Sequence, residues 1–144
     1  MQWDSSKNAG FSTAETPWLA VPASAAQYNV AVESRDPDSI LSFYKRLLSL
    51  RRSNKALRDG NQRTLNRQDP DVLSFLRTPP EGDAVLVALN MSAKTHTVSF
   101  HLGSSHSAER SARPLLTAPS ISADRVPLGA VVLPPFGVFI AAIE

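Results

Sequence analysis

Cysteine is missing from all 144 residues, which removes disulfide frameworks and thiolate metal sites and fits a reducing, cytoplasmic setting. No basic segment leads into an apolar one at the start, so no secretory signal is read. Long apolar runs are missing too. The longest, GAVVLPPFGVFIAAI at 129–143, is shorter than the ~20 residues of a spanning helix. Pro134 and Pro135 also break it, so it reads as two buried strands, and no membrane partner is expected. The six glycines form no phosphate-cradling loop, and no Gly-x-Ser-x-Gly elbow surrounds a serine. The three histidines, His96, His101 and His106, are spaced by five. On a strand that separation puts His96 and His101 on opposite faces, and His106 falls in a polar loop, so all three read as surface residues. Neither a metal nor a cofactor is expected.

What is present is the composition of a soluble globular protein, 42% hydrophobic and 19% charged. The least ordinary stretch is MQWDSSKNAGFSTAETPW at 1–18. It places Trp3, Phe11 and Trp18 in a polar, Gly-punctuated segment with neither a helical nor a strand period, and reads as an ordered loop. Flat aromatics beside amide and carboxylate groups suit the apolar faces and hydroxyl edges of a sugar. The same aromatics can instead anchor the loop on its own domain. Residues 19–35 read as the remainder of this loop running over a surface.

Asp36, Pro37 and Asp38 then supply an N-cap, a first-turn proline and negative charge at the positive end of a helix dipole. Ile40, Leu41, Phe43, Tyr44, Leu47, Leu48 and Leu50 recur at three- and four-residue intervals and predict a helix over about 37–53 with a broad apolar face. After KALRDG, with Gly60 as its stop, the period changes to alternation. Strands are predicted at 62–67, 72–78, 84–90, 96–102, 114–117, 125–128, 130–133 and 138–143, separated by turn signals such as Asp69-Pro70-Asp71. About eight short strands with regular turns argue for an antiparallel β-sandwich, mainly β overall. The polar stretch 103–113 reads as a variable surface loop. Asn90-Met91-Ser92 matches a glycosylation sequon, a common accident.

One window is strongly basic: Lys45, Arg46, Arg51, Arg52, Lys55, Arg58, Arg63 and Arg67, with Asp59 its only acid. Such a cluster can neutralise phosphates. The cations are split between a helix and a strand without interleaved aromatics, and those near the helix end suit its dipole. A solvated or ion-paired face is therefore the preferred reading, and no nucleic-acid partner is expected.

MQWDSSKNAGFS resembles the Met-Gln-Trp-(Asp/Ser/Thr)…Asn-Ala-Gly-Phe-(Ser/Thr) segment of glycoside hydrolase family 13, the alpha-amylase family. It is most similar to the alpha-glucosidase, oligo-1,6-glucosidase and trehalose synthase branch. In that family the segment follows the eighth strand of a (β/α)8 barrel and overhangs the substrate pocket. The resemblance implies that residues 1–58 are the end of a barrel domain, with a substrate-side loop at 1–35 and the last barrel helix, and that 61–144 are the β-sandwich domain C. It also implies Met1, Gln2, Trp3, Asp4, Asn8 and Phe11 as substrate-contacting residues. A whole barrel needs roughly 250 residues and does not fit.

Glycoside hydrolysis requires two carboxyl groups flanking the scissile bond. None of the family's carboxylate motifs occurs. Asp36, Asp38, Asp69, Asp71, Glu81 and Asp83 lie in caps and turns, where local backbone bonding accounts for them. The expected chain is thus a C-terminal fragment, inactive alone, whose partner is the missing upstream barrel and whose parent hydrolyses or transfers terminal alpha-linked glucose of small oligosaccharides with retention. The uncovered helix is expected to promote self-association. The alternatives are a stand-alone carbohydrate-binding or scaffolding β module and, third, nucleic-acid binding by the 45–67 window.

Overall fold

Alternating apolar residues bounded by turn signals become strands almost where the pattern places them. The computed structural model describes residues 1–103 and 110–144, so His106 and most of the polar stretch lie outside the described residues. The chain divides into two compact units, Met1–Leu48 and Ser49–Glu144.

Within Ser49–Glu144 the strands are β1 (Asn61–Leu65), β2 (Val72–Thr78), β3 (Val85–Asn90), β4 (His96–Val98), β5 (Ser111–Ala118), β6 (Val126–Pro127), β7 (Val131–Leu133) and β8 (Val138–Ile143). Six of them form one antiparallel sheet in the order β1-β2-β3-β8-β5-β6, and β4 pairs with β7 as a second layer. Register aligns Leu76, Leu86 and Ala141 in one row and Ser74, Ala88 and Phe139 in the next. With the period of two, all six face the second layer. There they meet Val98, Phe100, Leu128, Val131 and Leu133 in one continuous core. Phe100, Leu86, Leu128 and Leu133 are among the largest fully buried side chains. Each contributes roughly 1.5–3 kcal/mol by leaving water.

The other face of the sheet carries Val85, Val87, Ile140 and Ala142, also buried. A short helix, α3 (Lys55–Asp59), lies beside β2 on that side. Arg77 Nε and Nη2 donate to its carbonyls at Ala56 (3.2 Å) and Leu57 (3.4 Å). Asn54 caps the helix, its Oδ1 accepting from the Leu57 amide at 3.1 Å. Gly60 ends it by a different means from the left-handed turn usual for glycine. Its φ of −65° and ψ of 149° are extended, and glycine is required because a Cβ would lie 2.5 Å from the Ala56 carbonyl.

Several strand limits differ from the sequence reading for local reasons. β1 stops at Leu65 because Asn66 turns to φ 43°. β4 ends at Val98, after which the Phe100 amide donates to the Leu128 carbonyl at 2.9 Å. β5 starts three residues before the expected Pro114, and the strand tolerates that proline because the register shifts between Pro114 and Leu116. Residues 111–113 are therefore strand and not surface loop.

The Met1–Leu48 unit is built from short turns. A 3₁₀ turn spans Lys7–Gly10, another Ala23–Ala26, and α1 covers Val30–Glu33, so 19–35 is not the featureless loop expected. Helix α2 (Ile40–Ser53) starts here and runs on past the division. Its N-cap is Ser39 and not Asp36: Ser39 Oγ accepts from the Ser42 amide at 3.1 Å. Glu33 Oε2, from α1, accepts from the Leu41 amide at 3.0 Å. Asp36 instead closes its own turn, with Oδ1 accepting from the Asp38 amide at 2.9 Å. The apolar face of α2 is real but has no buried residue. Ile40, Tyr44 and Leu48, one turn apart, are 73%, 57% and 56% exposed.

Candidate functional site

The opening loop is held by its own backbone. Asn8, Ala9 and Gly10 take φ of 56°, 53° and 69°, three consecutive left-handed residues. Asparagine and glycine tolerate this region; alanine does so at a cost of about 1–2 kcal/mol. The reversal brings the Ala9 carbonyl under the start of the chain, where it accepts from the Trp3 amide at 2.8 Å. Asn8 Nδ2 ties down the exit, donating to the carbonyls of Ser12 (3.2 Å) and Ala14 (2.7 Å). Its amide thus serves the loop itself.

Asp4 completes the turn. Its Oδ1 accepts from the Ser6 hydroxyl at 2.5 Å and the Ser6 amide at 2.9 Å, and these bonds hold the carboxyl below its ordinary value of 3.8. The carboxylate also lies against the Gly10 Cα, where a Cβ would sit 2.7 Å from Oδ1. The carbonyls of Gln2 and Trp3 accept from the Val30 and Ala31 amides at 3.0 and 2.9 Å, joining the loop to α1. Buried Asn29 fixes that junction: Nδ2 donates to the Ala25 carbonyl at 2.8 Å and Oδ1 accepts from the Val32 amide at 2.9 Å.

Two depressions open on this scaffold. One of about 650 Å³ is lined by Met1, Gln2, Phe11, Trp18, Tyr28 and Glu33, among others. A second, shallower one of about 820 Å³ is bounded by Asp4, Ser6, Lys7, Gly10, Phe11 and Thr13, with Ser12. The candidate residues thus divide. Met1, Gln2 and Phe11 border the first depression, Asp4 and Phe11 the second, and Trp3 borders neither, though it stands 49% exposed on the same loop. Tyr28 and Glu33 came from outside the motif, and only their place in the folded unit reveals them.

The other groups singled out in the sequence have local partners. His96 is half-buried rather than a free surface residue: its Nε2 lies 3.2 Å from Asp71 Oδ2 and 3.0 Å from Ser92 Oγ. A Ser-His-Asp relay uses both ring nitrogens; here serine and aspartate approach the same one, so no relay exists. Asn90 of the sequon is buried, and its Nδ2 donates to the carbonyls of Lys94, Leu133 and Pro134, which leaves no amide available to a glycan. In the basic window, Arg51 donates to the Leu57 carbonyl, Arg58 to the Arg52 carbonyl and the Asp59 carboxylate, and Arg63 to the Leu102 carbonyl. Those guanidiniums close backbone ends. Among the described residues no three His, Asp or Glu side chains converge on a metal position, and no helix is long and apolar enough to cross a membrane.

An ordered loop carrying aromatic and carboxylate side chains, a helix and an antiparallel sandwich follow one another along the chain. The chain is similar to the alpha-amylase family, glycoside hydrolase family 13, on its alpha-glucosidase and trehalose synthase branch: the family model "Alpha amylase, catalytic domain" matches residues 1–60. It is 42% identical over 100 residues to an oligo-1,6-glucosidase of Heyndrickxia coagulans, a match covering 69% of this chain and 17% of that protein. A glucan 1,6-alpha-glucosidase of Streptococcus pneumoniae is 41% identical over 93 residues, 64% of this chain and 17% of its own length. The trehalulose synthase MutB of Pseudomonas mesoacidophila superposes on 99% of this chain with TM-score 0.86 and 30% identity, using 24% of its own chain. This chain therefore spans about a sixth of the relatives' length and a quarter of the solved neighbour.

Proposed function

We propose that this chain is the C-terminal region of an alpha-glucosidase-like glycoside hydrolase, acting on terminal alpha-linked glucose of small oligosaccharides by a retaining mechanism. Residues 1–58 end the barrel domain and 61–144 form domain C, a boundary beside the end of the catalytic-domain match at residue 60. The observation that carries the reading is the knotted loop 3–14, which presents Trp3 and Phe11 half-exposed on fixed backbone. Pre-set aromatic faces bind a sugar without an ordering cost. The catalytic carboxylates belong to the rest of the enzyme, and this chain supports the barrel and completes its rim.

The test is covalent replacement. The chain is grafted in place of the matching segment of the Heyndrickxia coagulans oligo-1,6-glucosidase, and isomaltose hydrolysis is measured. The graft should be active, and Trp3→Ala or Phe11→Ala should raise KM by about 5- to 30-fold, as expected for loss of roughly 1–2 kcal/mol of binding. An unchanged KM in both variants rejects the substrate-contact role. Turnover of 4-nitrophenyl alpha-glucoside by the chain alone rejects the assignment of the carboxylates elsewhere.

A further inference from the structure

We infer that the turn 134–137, at the end of the sandwich where β3 stops, is a second carbohydrate site, which stacks one ring of an alpha-linked glucose oligosaccharide on Phe136 and bonds its hydroxyls through Asp71 and Lys94. The choice of glucose rests on the function proposed above. The site belongs to the Ser49–Glu144 unit and uses none of the opening-loop residues.

Three observations carry it. First, Phe136 takes φ of 54°, a left-handed conformation shared among the described non-glycine residues only with Asn8, Ala9 and Asn66, and one that a bulky side chain disfavours. Its ring gains no burial in return, being 67% exposed. An outlier without a packing reason points to a functional one. Second, the turn is built to hold that conformation. The Phe136 amide donates to the Ser92 carbonyl at 3.0 Å, the Gly137 amide to the Pro134 carbonyl at 2.9 Å, and the Asn90 amide to the Gly137 carbonyl at 2.9 Å. Buried Asn90 also donates from Nδ2 to the Pro134 carbonyl at 2.7 Å. Glycine is needed at 137 because a Cβ would lie 2.8 Å from that carbonyl. A platform fixed in this way has little freedom to lose on binding. This end is also opposite the one where α3 leads into β1, since Asn61 pairs with Thr78 and Asn90 with Val72. Third, the surroundings fit a sugar. The Met91 amide donates to the Asp71 carbonyl at 2.8 Å, which brings Asp71 and the 65% exposed Met91 to the same end. Asp71 approaches His96 at 3.2 Å while 37% of its side chain stays exposed, and Lys94 is exposed two residues beyond Ser92. A ring and a thioether flanked by a carboxylate and an ammonium match the apolar face and hydroxyl edge of a pyranose. The carboxylate repels phosphate-bearing ligands. A stable protein interface takes about 800 Å² per partner, and two exposed side chains supply only a part of that, so a second copy or another protein fits less well.

The experiment titrates maltotriose into the full chain and follows backbone amide shifts by NMR. Saturable shifts are expected at Met91, Ser92, Phe136 and Gly137. Phe136→Gly should weaken the binding by about tenfold or more, while its urea transition stays in place or rises, because glycine accepts a φ of 54°. Phe136→Tyr keeps a flat face and should bind within about threefold of the parent chain. Absence of saturable shifts at this end, equal affinity in Phe136→Gly, or a loss in Phe136→Tyr as large as that in Phe136→Gly overturns the proposal. So does a lowered urea transition in Phe136→Gly, since the ring would then be a packing residue, or a dimer that this substitution abolishes in light scattering. The proposed function fails separately: an unchanged KM in the Trp3→Ala and Phe11→Ala grafts leaves this site standing, and absence of shifts here leaves the role of the opening loop standing.

Discussion

Among the described residues, fifteen large apolar side chains stand exposed, and ten of them lie in the 48 residues of Met1–Leu48 against five in the 96 of Ser49–Glu144. The two units are stabilised by different means. The second buries Leu86, Phe100, Leu128 and Leu133 between two layers of sheet. The first is joined by hydrogen bonds: Trp3 to Ala9, Asn8 to Ala14, Asn29 to Ala25 and Ser39 to Glu33. A hydrogen bond contributes only about 0.5–1.5 kcal/mol net, so such a unit holds a shape without holding itself together strongly. The sheet unit has the make-up of a domain with a core, and the loop unit leaves most of its large apolar side chains uncovered.

The largest effect should come from the sheet core. Phe100→Ala removes a 1% exposed ring and should cost about 3–5 kcal/mol in urea unfolding. Trp18→Ser, at a 98% exposed position, should change the same transition by less than about 0.5 kcal/mol, while reducing hydrophobic-dye binding. Comparable losses from the two substitutions would erase the contrast between the units.

A smaller and more local effect is expected at Gly10. Gly10→Ala places a methyl 2.7 Å from Asp4 Oδ1 at a φ of 69°. The left-handed backbone alone costs about 1–2 kcal/mol, and the carboxylate must also leave its seat. The loop should loosen, seen as faster amide exchange at Trp3, while the main urea transition of the sheet stays in place. A shift of that transition by the full amount would show that the two units unfold as one.

Legibility in the sequence followed the same divide. The strands were readable because short apolar stretches are bounded by turn signals, as at Asp69-Pro70-Asp71, even where, as in β4, β6 and β7, only two or three residues pair. β5 was cut short because Ser111 and Arg113 are polar and Pro114 resembles a strand start, whereas a bulge absorbs it. In the loop unit, α1 is four residues long, too short to show a period. The cap of α2 was misplaced because Asp36-Pro37 carries a cap signature that it uses for its own turn, while Ser39 and Glu33 do the capping. The motif singled out Met1, Gln2, Trp3, Asp4, Asn8 and Phe11 as substrate-contacting residues. It could not show that Asn8 is spent on backbone carbonyls or that Tyr28 and Glu33 join the same depression, because those facts depend on Ala9 adopting a backbone conformation that alanine disfavours.

The smallest effect isolates the polar mode of stabilisation. Bonds from the Ser6 hydroxyl and then the Ser6 amide depress the Asp4 pKa below 3.8. A group whose folded pKa is depressed contributes stability that is present above its unfolded value and lost as pH falls through the folded one. The Trp3 indole N–H signal should therefore be constant from neutral pH down to the unfolded value and move only below it. Trp18, on the same chain but remote from this carboxylate in sequence, provides the internal reference. Asp4→Asn should abolish the shift, and Ser6→Ala should move its midpoint upward toward 3.8. A Trp3 transition above that value, or one retained in Asp4→Asn, would mean that the loop is not closed by this carboxylate and that its order comes from the left-handed turn alone.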